Sequence, residues 1–128
     1  MTVASRPRTA LVVDDSPVMR RQLSQALQSA GFEVAEAVDG ADAWRRLQRT
    51  RADVILTDIN MPLLDGLKLV GLVRAGGAHQ RTPIVVITSD AADAERRRAL
   101  ALGASDFLVK PVRVWQVVEL VERLVAAR

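Results

Sequence analysis

The chain contains no cysteine, which excludes a disulfide framework and any thiolate metal site. Its single histidine, His79, sits in a Gly-rich connection. That argues against a histidine-based zinc centre and against a Ser-His-Asp triad. No apolar run approaches the ~20 residues of a membrane span. The leading segment, residues 1–8, lacks the apolar stretch of a secretory signal. There is little surplus charge of either sign. The net charge is +3, from 18 basic and 15 acidic residues, and Arg6 and Arg8 both lie in the leader. Without them the chain carries 16 bases against 15 acids, a net of +1. Two arginines are a poor electrostatic footprint for nucleic acid. There is no internal repeat and no low-complexity tract. These absences point to a soluble, cytoplasmic protein with neither nucleic acid nor membrane as a direct partner.

What is present is a globular composition, 49% hydrophobic and 26% charged over 128 residues, which suits one domain with a proper core. Four apolar runs each end on a reactive or polar residue. Leu11-Val12-Val13 leads into Asp14-Asp15, and Val54-Ile55-Leu56-Thr57 into Asp58. Ile84-Val85-Val86-Ile87 leads into Thr88, and Phe107-Leu108-Val109 into Lys110-Pro111. Short continuous β-branched runs read as strands buried on both faces of a parallel sheet.

Helical patterns alternate with these runs. Ser16-Pro17 supplies an N-cap and a proline at the first helical position. Met19, Leu23, Ala26, Leu27 and Ala30 follow at helical spacing until Gly31. Residues 32–37 read as an edge strand. Asp39-Gly40 opens a second helix, residues 67–73 form a third, 91–102 a fourth and 114–127 a fifth, which lacks an obvious cap. The expected architecture is a doubly wound α/β fold, a five-stranded parallel sheet of order 2-1-3-4-5 with five helices. Ligands of such sheets bind outside the carboxyl ends of the strands. Three carboxylates, a hydroxyl and an ammonium would converge there.

The acidic pair, Asp58-Ile59-Asn60-Met61-Pro62 with Asp65-Gly66, Thr88 and Lys110-Pro111 together resemble the receiver domain of bacterial two-component response regulators. The resemblance runs from Thr9 through the last helix, so residues 1–8 read as a flexible basic leader and 9–127 as the receiver domain. It implies that Asp58 accepts a phosphoryl group from a histidine kinase or histidine phosphotransfer protein. It places Mg2+, with Mn2+ as a substitute, on Asp14, Asp15, Asp58 and the backbone carbonyl of Asn60, with Asp14 acting through water. Lys110 would pair with the acceptor and then with a phosphoryl oxygen, set by a cis peptide at Pro111.

By the same resemblance, Thr88 would donate its hydroxyl to the phosphoryl group. Phe107 would turn inward as the switch aromatic, reshaping the face of helix 4, strand 5 and helix 5 for a downstream protein partner. Asn60 and Asp90 would flank the path of attacking water and set a moderate to fast loss of the phosphoryl group. The resemblance implies a switch that catalyses only its own phosphorylation and dephosphorylation. It would be a monomer or a phosphorylation-dependent dimer.

The end of the chain after helix 5 favours a stand-alone, chemotaxis-type regulator over an excised domain of a longer, DNA-binding one. A magnesium-dependent phosphohydrolase is disfavoured, because such enzymes carry Asp-x-Asp after the first strand and a cap domain. A flavodoxin-like nucleotide binder lacks its phosphate cradle here. Trp44 and Trp115 read as partly buried helix anchors. Arg96-Arg97-Arg98 reads as a solvated helix face, or as a steering patch for an acidic partner.

Overall fold

The computed structural model describes residues 7–89 and 92–127. The elements alternate: β1 (Thr9–Val13), α1 (Pro17–Ser29), β2 (Glu33–Ala37), α2 (Gly40–Leu47), β3 (Val54–Thr57), α3 (Gly66–Ala75), β4 (Ile84–Thr88), α4 (Asp93–Leu102), β5 (Asp106–Val109) and α5 (Val114–Ala126). The sheet is wholly parallel in the order β2-β1-β3-β4-β5, as the apolar runs predict.

Alternation along each strand splits the core in two. Ala10, Val12, Val54, Leu56, Val85 and Ile87 pack with Leu23 and Leu27 of α1 and Val117, Leu120 and Val121 of α5. Leu11, Val13, Ile55, Ile84 and Val86 pack with Ala43, Leu47, Leu69, Val70, Val73 and Ala99 of α2, α3 and α4. Both faces are covered, which is why the central strands read as unbroken apolar runs rather than alternating ones.

Capping fixes where helices leave the carboxyl edge. Ser16 accepts the N–H of Met19, Asp39 that of Asp42 and Asp65 that of Lys68. Because Asp65 caps it, α3 begins at Gly66, one residue before the expected start, and it continues to Ala75. The fifth helix has no side-chain cap, as its sequence suggests.

One expectation changes. Trp115 is 57% exposed rather than partly buried. The buried face of α5 is Val117, Leu120 and Val121, and a residue two positions before Val117 lies about 200° round the helix. Trp44 is partly buried against the α2–α4 core, as expected.

Arg8 makes contacts with the folded chain. The Arg8 carbonyl accepts the N–H of Glu33, and the guanidinium lies 4.5 Å from the centre of the Phe32 ring. Residues 1–6 lie outside the described residues. Among the described residues no helix is long and apolar enough to cross a membrane.

Candidate functional site

The switch from β2-β1 to β3-β4 opens a crevice at the carboxyl edge between β1 and β3. Asp14 and Asp15 follow β1, and Asp58 follows β3. One carboxylate oxygen from each lies within 4.8 Å of the others. Asp14 and Asp58 are buried, 2% and 7% exposed, whereas Asp15 faces solvent.

Lys110 reaches in from the end of β5. Its Nζ donates to Asp14 Oδ2 at 2.9 Å and to Asp58 Oδ2 at 2.8 Å. The peptide between Lys110 and Pro111 is cis, and the Lys110 N–H donates to the Thr88 carbonyl at 2.7 Å. The lysine is thereby tied to the end of β4. Burial alone would lower its pKa. Hydrogen bonds to Asp58 and Asp14, with the charges of those carboxylates, outweigh burial and raise it above the ordinary 10.5. Lys110 is therefore a fixed cation at neutral pH.

The acceptor loop is held from both sides. Asp58 Oδ1 accepts the N–H groups of Ile59 at 2.6 Å and Asn60 at 3.3 Å. This leaves Oδ2 toward Lys110. The Thr57 hydroxyl donates to the Asp58 carbonyl. The first turn of α3 lies so close that a Cβ at Gly66 would stand 1.9 Å from that same carbonyl oxygen. Only glycine fits there without moving the acceptor.

On the β1 side, Asp14 Oδ1 accepts the Ser16 N–H at 2.8 Å. Arg20 of α1 donates from Nη1 to the Asp14 carbonyl at 2.8 Å and from Nε to Glu36 Oε1 at 2.9 Å. The Arg20–Glu36 clamp escaped the sequence reading. The signal was a base early in α1 and an acid near the end of β2, a pairing that only the sheet order makes local.

Of the expected site residues, Asp14, Asp15, Asp58 and Lys110 come together, with the backbone of Asn60 beside Asp58. Thr88 is wholly buried at the end of β4. Asn60 has an exposed side chain. Asp90 lies outside the described residues. Phe107 is buried, 2% exposed. Without a hydroxyl the ring has no polar atom to keep it at the surface. Arg96 lies over it at 5.9 Å and donates to the Phe107 carbonyl at 3.4 Å. Arg96 is thus more than a solvated side chain, while Arg98 pairs with Glu95 along the helix.

Three carboxylates against one ammonium leave the pocket net negative and made of hard oxygen donors. That suits a divalent cation such as magnesium, which takes oxygen ligands and leaves room for phosphate oxygens.

An acid pocket at the switch point of a parallel sheet, with a lysine reaching in from the end of β5, places the molecule among the doubly wound signalling domains, and the chain belongs to the response regulator receiver domain family, which it matches over residues 10–122. Receiver domains of response regulators are signalling switches that work with histidine kinases and downstream effectors.

Among relatives, it is 40% identical over 127 residues to the transcriptional regulatory protein PrrA of Mycobacterium leprae, covering 99% of this chain and 53% of that protein. It therefore spans about half the length of that relative. It is 44% identical over 104 residues to the chemotaxis protein CheY1 of Helicobacter pylori, covering 79% of this chain and 83% of that protein. Among solved structures, the chemotaxis protein CheY4 of Vibrio cholerae superposes with a TM-score of 0.87 at 35% identity, covering 93% of this chain and 99% of that one. The receiver domain of the sensor histidine kinase PA1611 of Pseudomonas aeruginosa superposes with a TM-score of 0.86 at 31% identity, covering 94% and 99%. That structure has a magnesium ion coordinated in its active-site cleft.

Proposed function

We propose that this receiver takes a phosphoryl group onto Asp58 from a phosphohistidine on a kinase or phosphotransfer protein, and that the modified domain then controls a protein partner. The observation that carries this reading is Lys110 Nζ bridging Asp14 and Asp58 at 2.9 and 2.8 Å beside Asp15. In the step, Asp58 Oδ2 forms the new bond to phosphorus as the N–P bond of the donor breaks, and the imidazole nitrogen keeps the electron pair. Asp14, Asp15, Asp58 and the Asn60 carbonyl would hold a magnesium ion, which supplies positive charge to the phosphoryl oxygens. The family match, the oxygen-only donor set and the magnesium-bearing cleft of the similar Pseudomonas receiver support that choice.

Lys110 keeps its charge and remains within reach of a phosphoryl oxygen once Asp58 Oδ2 is esterified. Phosphorylation adds about −1.5 to −2 charges and three strong acceptors. Thr88, whose carbonyl accepts the Lys110 N–H, would donate its hydroxyl to one of them. Movement there would pass to Phe107, because β4 and β5 pair at Val86 with Phe107 and at Thr88 with Val109. Phe107 lies beneath Arg96 of α4, so a shift in this pair would alter the face of α4, β5 and α5 that a partner reads. Asn60 and Asp90 are proposed to set the lifetime of the phosphoryl group.

Intact mass after incubation with acetyl phosphate and magnesium tests the reading. A phosphoryl adduct should form on the wild type and not on Asp58→Asn, and should vanish without magnesium. No adduct together with unconsumed acetyl phosphate would refute it. Sustained turnover of phosphomonoesters would favour a phosphohydrolase instead.

A further inference from the structure

The loop after the acceptor carries a residue that the acid chemistry does not use. Leu63 is 84% exposed, and at φ 68 it is the only non-glycine residue with a positive φ among the described residues. It sits at the centre of a three-residue turn closed by the Leu64 N–H on the Pro62 carbonyl at 2.9 Å. Turns of this kind with a positive central φ are rare and strained. Glycine or asparagine would occupy the position with little strain, whereas leucine does not. A single exposed apolar side chain needs no explanation by itself. One held in a strained conformation does, and such strain clusters at binding and switching sites.

Its neighbours define a surface. Leu64, next in the chain, packs against the core, and its carbonyl oxygen lies where a Cβ at Gly40 would be, 2.0 Å away. The β3–α3 loop therefore rests directly on the start of α2. Val38, two residues before Gly40, is 50% exposed, and Val18 in the first turn of α1 is 68% exposed. Three large apolar side chains, two from connections and one from the first turn of α1, thus stand exposed at the carboxyl edge that holds Asp58.

The acceptor is 7% exposed, so a protein delivering a phosphoryl group to it must lay its own surface over this edge. Building on the proposed phosphoryl transfer, we infer that Leu63 is a specificity-determining knob that seats against apolar surface flanking the phosphohistidine of a protein donor, with Val38 and Val18 exposed at the same edge of the sheet. A small donor such as acetyl phosphate makes no such contact.

The test compares two donors on wild type, Leu63→Gly, Leu63→Asn and Leu63→Met. One donor is acetyl phosphate. The other is the member of a panel of purified, autophosphorylated histidine kinases that loads the wild type fastest. We expect Leu63→Gly and Leu63→Asn to lower kcat/KM for the kinase about tenfold or more, as loss of an interface anchor does. Loading from acetyl phosphate should be unchanged, and the thermal midpoint should be no lower than that of the wild type. Leu63→Met, which keeps the apolar bulk, should retain most of the transfer.

Equal transfer from the kinase to all four proteins would overturn the inference. So would a parallel loss with both donors, which would place Leu63 inside the acceptor site. Concentration-dependent self-association that Leu63→Asn abolishes, with transfer unchanged, would assign the knob to a second copy and overturn it too. Failure of the wild type to load from acetyl phosphate in an Asp58-dependent way would instead refute the phosphoryl transfer on which the inference rests.

Discussion

At the amino edge of the sheet, polar side chains meet backbone. Asp53 is 6% exposed and its Oδ2 accepts the Thr9 N–H at 2.8 Å, while its own N–H donates to the Thr9 carbonyl. His79 Nε2 accepts the Ala52 N–H at 3.1 Å, and Ser105 Oγ accepts the Ile84 N–H at 3.0 Å. At the carboxyl edge, polar side chains meet one another: Asp14 and Asp58 share Lys110, and Asp15 stands beside them. Both edges bury carboxylates, with opposite consequences. An acid that satisfies a strand N–H, with Arg51 3.8 Å away, adds to stability. Three acids sharing one ammonium repel each other, and the proposed cation would offset that repulsion.

The largest effect that would break this comparison lies at the amino edge. Asp53→Ala should lower the free energy of unfolding by about 1–3 kcal/mol, because it removes a buried acceptor from a strand N–H. Urea unfolding measures this, and magnesium binding should be unaffected. A smaller effect of opposite sign is expected at the other edge. Asp15 has no hydrogen bond or ion pair among the described residues, so Asp15→Asn should raise stability by about 0.5–1 kcal/mol in metal-free buffer. It should also weaken magnesium binding.

The smallest effect concerns pH. The pKa of Lys110 is raised in the folded state. Its ion pairs are therefore fully formed below the lysine's unfolded pKa and are lost as pH rises through the higher folded value. The stability difference between wild type and Lys110→Ala should stay constant from about pH 7 to about pH 9. It should shrink only above the ordinary lysine value.

The comparison also shows what the sequence made legible. Asp14-Asp15, Asp58 and Lys110 could be found because each ends an apolar run, and parallel strands bring run ends to one edge. Ser16 and Asp39 marked helix starts for a local reason, since a cap acts within three residues, and Asp65 caps α3 in the same way one residue ahead of the expected start. Arg20 with Glu36 and His79 with Ala52 depend on contacts between elements, and local pattern does not encode them. The exposure of Trp115 follows the phase of the helix, set by Val117, Leu120 and Val121, and not the bulk of its own side chain. Leu63 looked like ordinary loop sequence, since a positive φ at leucine leaves no trace in composition. Phe107 lies on the fifth strand, as its apolar run predicts, and it is buried within the core shared with Val86 and Ala99.

Carboxyl-edge acids are proposed to serve a bound cation, while amino-edge acids serve the backbone. Thermal midpoints measured against rising magnesium concentration, for wild type, Asp53→Asn and Asp15→Asn, test this division most directly. Magnesium should raise the midpoint of wild type and of Asp53→Asn, the latter from a lower starting value. The stabilisation should approach about 2.7 kcal/mol at a hundredfold excess over the dissociation constant. Asp15→Asn should start higher and respond weakly. A wild type indifferent to magnesium, or three proteins shifted alike, would contradict the account.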